Sequence, residues 1–264
     1  MKRSIFFMIS ILLLISCKQG KSDSSKTIQV EAPVSESKTY PENISKLFDA
    51  HGGLENWKAM QSLEFTIPND HGDEVTTTHL QTRKSLITMP NHTIGYNGKD
   101  VWLHNKDTTA YKGNAKFYYN LMFYFYAMPF VLADDGINYE NVEPLVFEDK
   151  SYPGMKISYD TGVGESPDDE YIVYFDSETN TMAWLAYTVT YFSKEKSKAF
   201  RFIKYNDWQT VNGLLLPERL TWYNYEGHIP TTERSDRVFT NIKVSKVGPN
   251  AELFEMPEGA ELIK

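Results

Sequence analysis

Residues 117–132 read FYYNLMFYFYAMPFVL, eight aromatic side chains in sixteen positions, and the fold turns on what such a stretch demands of its surroundings. A helix entered through Asn114, a residue type that caps helix N-termini well, places Phe117, Leu121, Tyr124, Phe125 and Met128 on one face. Met122, Phe123 and Tyr126 make the opposite face apolar too, so the helix must be covered on both sides. Pro129 cannot continue a helix and biases Met128 toward extended backbone. The expectation is therefore one helix ending there, with Phe130, Val131 and Leu132 leaving it as a hydrophobic tail. A bilayer crossing takes about 20 uninterrupted apolar residues, and the tyrosine and asparagine tips in this run exclude that role.

Working outward, the chain reads as antiparallel strands at 62–67, 74–82, 85–89, 92–96 and 99–104 before the aromatic segment. After it come strands at 155–159, 171–175, 182–192, 200–209, 214–225 and 237–245. Asn97-Gly98 and Asn212-Gly213 are the dipeptide that suits two-residue type I′ hairpins. Such turns join adjacent antiparallel strands and disfavour a parallel dinucleotide-binding sheet. Tyr171, Val173 and Phe175 point one way while Ile172 and Tyr174 point the other, and Trp184 is opposed by Leu185 and Tyr187. A sheet with one solvated face would alternate cleanly; two apolar faces imply a sheet curled around the aromatic helix. Pro217 marks an edge or bulge position. A short opening helix carries Ile44, Leu47, Phe48 and His51 and stops at Gly52-Gly53. A second turn carries Leu54 and Trp57, and His51 is expected to act at the helix C-terminus.

The start of the chain has a different character. Lys2-Arg3 precedes an apolar core from Ile5 to Ile15, too short for a stable span, which is the pattern of a secretory signal. It ends in Leu14-Ile15-Ser16-Cys17, which resembles the bacterial lipobox, where cleavage precedes a Cys that becomes diacylated. Two or more acyl chains suffice for stable membrane anchoring, whereas one is marginal. Residues 18–40 are rich in Ser, Lys, Glu, Gln and Pro and have almost nothing to bury, so they read as a flexible tether. The organisation expected is a signal peptide over 1–16, acylated Cys17 and tether over 17–40, and a folded domain over 41–264. Lys18 after the Cys resembles the sorting pattern for outer-membrane delivery. Cys17 is the sole cysteine, so the domain has no disulfide, thiolate metal site or cysteine nucleophile. The formal charge of −8 argues against a nucleic-acid partner, since phosphate binding rests on clustered Lys and Arg.

Signatures of catalysis are sparse. There is no Gly-x-Ser-x-Gly elbow, His-Glu-x-x-His motif or Walker loop, and no cofactor or metal is expected. Gly162-x-Gly164 lacks the third glycine of a nucleotide fingerprint. Asp168, Asp169 and Glu170 lack the spacing of a calcium loop and read as a solvated hairpin end. Asp134 and Asp135 read as turn residues rather than a glycosidase pair.

The strand ending Tyr205-Asn206-Asp207-Trp208, the hairpin Val211-Asn212-Gly213-Leu214-Leu215-Leu216-Pro217 and the ending Leu253-Phe254-Glu255-Met256-Pro257-Glu258-Gly259-Ala260 together resemble the lipoprotein carrier and receptor superfamily of LolA and LolB. Ala50-His51-Gly52-Gly53 and the segment AMPFVLADDG look like an outer-membrane-type lipoprotein family related to it. The resemblance implies an eleven-stranded antiparallel half-barrel whose concave apolar face holds acyl chains under helical lids. The combined expectation is an α+β, mainly antiparallel β fold, a curled half-barrel sheet around one or two lid helices. Its function would be non-enzymatic binding of a lipid or other hydrophobic ligand at the envelope, with Phe117, Leu121, Tyr124, Phe125, Met128 and Phe130 as ligand contacts. Two rivals stand beside it: an envelope scaffold whose aromatic helix is only core, and a glycan or lipid hydrolase.

Overall fold

The computed structural model describes residues 38–160, 168–193, 197 and 199–264. The signal, Cys17, most of the tether and the Gly162-x-Gly164 turn lie outside the described residues. The compact unit is Tyr40–Lys264. It opens with helices α1 (Glu42–Ala50) and α2 (Leu54–Lys58), then a meander of β1 (Ser62–Ile67), β2 (Glu74–His79), β3 (Ser85–Thr88), β4 (His92–Tyr96) and β5 (Val101–Asn105). The aromatic segment follows as α3 (Ala115–Tyr118), α4 (Leu121–Tyr126) and α5 (Met128–Val131). A second run of strands comes next: β6 (Ile137–Phe147), β7 (Lys150–Tyr159), β8 (Tyr171–Phe175), β9 (Met182–Tyr187), β10 (Arg201–Val211), β11 (Leu214–Glu226), β12 (Ile229–Val238) and β13 (Thr240–Ser245). A 3-10 turn (Ala251–Phe254) and β14 (Glu261–Ile263) close the chain.

The described strands form two seven-stranded sheets, ordered β13-β1-β2-β3-β4-β5-β14 and β12-β11-β10-β9-β8-β7-β6, antiparallel at every pairing. Only Phe239 separates β12 from β13, so one bent strand serves as an edge of both sheets. Phe239 is buried at the bend, with its ring 5.3 Å from Phe65 and 4.7 Å from Tyr126. The result is an open, mainly antiparallel half-barrel with the helical segment against its inner faces. Among the described residues there are fourteen strands, where the resemblance implies eleven.

The two apolar faces of the second sheet are covered differently. Val173, Leu185, Ile203 and Leu220 turn inward into the same core as Phe125, Tyr126 and Phe130. On the other face, Tyr174, Trp184, Phe202 and Tyr223 form a separate cluster with Leu145 and Tyr152 of the β6–β7 hairpin. That is possible because β6 comes back beside β12, although the two do not pair. Lys204 lies over Phe147, Trp184 and Tyr223, 5.3, 5.4 and 5.9 Å from the ring centres, and the cation–π attraction lets its ammonium sit on an aromatic surface.

Three expectations are corrected. The aromatic segment is three short helices rather than one. Asn114 does cap the first, accepting from Phe117 N–H at 2.9 Å, but Pro129 begins the last helix instead of ending one, since a proline ring suits a first turn whose N–H groups are unbonded anyway. Phe130 and Val131 are thus helical. The carbonyls freed at each break are met from outside: Ser85 donates to Tyr119 O at 3.2 Å, Tyr205 to Phe125 O at 2.6 Å and Tyr139 to Leu132 O at 2.5 Å. Buried carbonyls need such partners, so the surrounding strands fix where the helix breaks. Second, the strand expected at 237–245 is two, and β6 is a strand that the sequence pattern does not announce. Pro144 and the acidic residues of β6 mask its period, Pro144 sitting in a register shift between Val142 and Leu145. β12 is almost wholly exposed and carries no apolar alternation. Third, the tip of the β4–β5 hairpin is Gly98-Lys99 rather than Asn97-Gly98: Tyr96 pairs with Val101 and Asn97 N donates to Asp100 O at 3.3 Å, while Asn97 Oδ1 accepts from Lys99 N at 3.0 Å and Asp100 N at 2.8 Å in an Asx-type arrangement. Asn212-Gly213 does form the tight turn, with φ of 50° and 78°. Pro217 lies beyond the β12 ladder, which starts at Arg219, and beside a register shift in β10.

His51 is the C-cap residue of α1, as expected, and it is fully buried. Its Nδ1 lies 3.0 Å from Leu215 O and its Nε2 accepts from Met182 N at 3.0 Å, which sets the tautomer with the proton on Nδ1. Burial lowers its pKa to about 4. The neutral ring ties the end of α1 to β9 and to the Asn212-Gly213 hairpin, where Gly52 also fits closely: a Cβ there would lie 2.0 Å from Gly213 O.

Candidate functional site

The helices are short because they must follow the inner surface of the half-barrel, and between α3–α4 and that surface they leave a cavity of about 430 Å³. One wall is the first sheet, with Thr78 of β2, Ser85 of β3 and Tyr96 of β4; another is the second sheet, with Tyr159 of β7 and Tyr171 of β8. The helical wall supplies Phe117, Leu121, Phe123, Tyr124 and Phe125. The volume falls in the range of about 300–1,000 Å³ usual for small-molecule sites.

Of the six residues singled out from sequence, Phe117, Leu121, Tyr124 and Phe125 line this cavity. The structure places Met128 and Phe130 elsewhere, fully buried in the core, with Phe130 stacked on Trp57 at 4.5 Å. The helix break explains the division, because α5 turns away from the face that α4 presents. Phe125 does both jobs: it lines the cavity and lies 5.0 Å from Tyr187 and 5.9 Å from Trp222 in the core. At the outer end Phe117 meets Tyr191 and exposed Phe192, each ring 5.0 Å away.

The polar groups of the site were not legible as such. Arg83 sits in the β2–β3 turn with φ of 59°. Its Nη2 pairs with Asp134 at 2.5 Å and its guanidinium lies 5.1 Å from the Phe123 ring centre. Asp134, read as a turn residue, thus anchors an arginine at the cavity wall. Asp169, expected in a solvated hairpin end, is buried instead. It accepts from Thr190 N at 2.6 Å and Thr188 Oγ1 at 3.5 Å, and burial raises its pKa above the usual carboxylate range, with these hydrogen bonds pulling the other way. Its neighbour Glu170 pairs with Lys156 at 2.7 Å. Burial likewise pushes the phenol pKa of Tyr159 and Tyr171 upward, so both stay neutral hydroxyls. Buried Glu74 and half-buried Tyr118 form a further pair, Tyr118 donating to the carboxylate oxygens at 2.9 and 3.0 Å. The inward face of β2, with Glu74, Thr76 and Thr78 in alternation, is polar where a core strand is normally apolar; that pattern was available in the sequence.

Among the described residues no group of three or more His, Cys, Asp or Glu is placed to hold a metal ion, and no helix is long and apolar enough to cross a membrane. The arrangement is an aromatic, mostly neutral cleft with a few fixed polar groups, suited to holding a molecule.

Fold and site together define an open antiparallel half-barrel with a helix-lined internal cavity. Its fold is similar to that of a DUF1329 family protein from Desulfovibrio piger, with TM-score 0.50 and 11% identity over 81% of this chain and 98% of that one. A LolA superfamily protein from Nitrosomonas europaea aligns with TM-score 0.49 and 11% identity over 83% and 99% of the two chains. A putative outer membrane lipoprotein-sorting protein domain from Vibrio parahaemolyticus aligns with TM-score 0.38 and 9% identity over 77% and 97%. No curated protein matches the chain. The chain belongs to a family of unknown function, DUF6503, whose model matches residues 1–226.

Proposed function

We propose that this is an envelope lipoprotein, held at the outer membrane by acyl chains on Cys17, that binds a hydrophobic ligand of acyl-chain type without chemically altering it. The observation that carries the reading is the cavity of about 430 Å³ walled by Phe117, Leu121, Tyr124 and Phe125. Rings around an acyl chain each contribute burial worth about 1.5–3 kcal/mol at most, and a few such contacts give micromolar affinity once association costs are met. The tether over residues 18–40 would hold the cavity near the membrane, at a mean reach of roughly 25–30 Å by random-coil scaling.

The test is uptake of a fluorescent fatty acid by the mature chain produced without its leader, so that Cys17 stays unacylated. Wild type should bind the probe at micromolar concentration. Phe117→Ala with Leu121→Ala, both half-buried, should weaken uptake more than tenfold while unfolding stays cooperative. A wild-type protein that takes up no probe would remove the binding reading and leave the scaffold reading in its place.

A further inference from the structure

Two hydrogen-bond donors at the cavity wall lack partners, and both sit at the same end of the first sheet. Thr78 is 2% exposed, lines the cavity, and its Oγ1 makes no hydrogen bond. Arg83 lines the cavity from the turn that follows; its Nη2 is taken by Asp134, while its Nη1 is enclosed and unbonded. Thr78 pairs with Ser85 across the β2–β3 ladder and Arg83 belongs to the turn that joins these strands, both lining the cavity, and the Ser85 hydroxyl is already committed to Tyr119 O. Leaving a buried donor unmet costs about 1–3 kcal/mol, more for a charged one, and native structures keep few such groups without a reason. The other charged groups lining the cavity are Lys116 and Asp169. Asp169 comes from the second sheet's side, where its Oδ1 accepts from Thr190 N and Thr188 Oγ1. What the first-sheet end lacks is an acceptor, and the guanidinium favours a charged one.

We propose that Arg83 Nη1 and Thr78 Oγ1 form a headgroup site that receives the carboxylate or phosphate of a single-chain anionic amphiphile, whose tail lies along Phe117, Leu121, Tyr124 and Phe125. This rests on the acyl-chain reading of the cavity and adds to it the ligand's charge and direction.

The experiment compares decanoate, decyl phosphate, decanol and decyltrimethylammonium as competitors of a neutral fluorescent probe, N-phenyl-1-naphthylamine, on the mature unacylated protein. Decanoate or decyl phosphate should compete at least tenfold better than decanol, the scale of one hydrogen bond to a charged group, and the cationic amphiphile should compete worst. Arg83→Met should abolish the tenfold preference of the anionic amphiphiles over decanol. Thr78→Val, nearly isosteric and free of the unmet hydroxyl, should reduce the preference while keeping or raising the melting temperature, which keeps the test decisive if Arg83→Met folds poorly. Decanol competing as well as decanoate would overturn the headgroup site and leave the cavity reading standing. Failure of every competitor and of the probe itself would overturn both. Inorganic phosphate or acetate that raises the melting temperature as much as decanoate does would assign the site to a free anion and overturn the amphiphile.

Discussion

Mild acid should weaken this fold through His51, and the size of the effect follows from its surroundings. The ring is fully buried, with Nδ1 3.0 Å from Leu215 O and Nε2 accepting from Met182 N at 3.0 Å. A proton added to Nε2 would set two N–H donors against each other in an apolar setting, which agrees with a folded-state pKa of about 4 against 6.5 for the free side chain. The depressed value means that the unfolded chain binds the proton first. The contribution is therefore complete above pH 6.5 and drains away as the pH falls toward 4. A tenfold difference in proton affinity between the folded and unfolded chain is worth about 1.4 kcal/mol, so between pH 7.5 and 4.5 the loss is about 2–3 kcal/mol. Glu74 and Asp169, whose pKa values burial raises, act in the opposite sense, so the comparison must be with a variant that shares them. Urea unfolding of wild type and His51→Gln across this range isolates the histidine. The wild-type advantage should shrink by about 2–3 kcal/mol as the pH falls. A gap between the two proteins that stays constant with pH would refute the buried neutral ring.

Cys17→Ser should leave the precursor uncleaved and free of metabolically incorporated fatty acid; label retained on that variant would disprove the lipidation site. Gly95→Ala should destabilise the protein by about 1–3 kcal/mol, the range of overpacking changes, because the new methyl would lie 2.1 Å from the Trp102 ring and disturb the indole's hydrogen bond to Phe254 O at 3.0 Å. An unchanged melting temperature would contradict that packing. Gly213→Val should cost about 1 kcal/mol or more, since a β-branched residue resists positive φ, here 78°; thermal unfolding measures it, and no change would argue against the tight turn.

The parts of the fold set by local pattern were legible in the sequence. Strands at 62–67, 92–96 and 171–175 match β1, β4 and β8 because their side chains alternate between two packed surfaces and their ends are marked by turn residues. Where tertiary contacts decide, the pattern misled. A continuous helix through residues 115–128 satisfies its own backbone, yet Tyr205 and Ser85 offer hydroxyls to its carbonyls, and the curved inner surface favours three short pieces. β12 has no apolar face to betray it, being held by its pairing with β11. Four of the six candidate contacts share the cavity because they lie on α3 and α4, before the change of direction at Ala127. Arg83 could not be picked out, since nothing near it in sequence hints that Asp134, 51 residues on, fixes its guanidinium.

The bent strand shared by the two sheets also bears on the order in which the molecule can assemble. β1, the first strand of the chain, is flanked on one side by β13, a pairing reinforced by the Lys243–Glu64 ion pair across 179 residues. The end of α1 docks through His51 onto a hairpin 164 residues away. Both N-terminal elements therefore wait for partners encoded near the C-terminus, and closing such long loops carries an entropy cost before any contact rewards it. Folding dominated by distant pairings is slow. A chain wired this way cannot complete its first sheet until the C-terminal strand β13 is available to pair with β1.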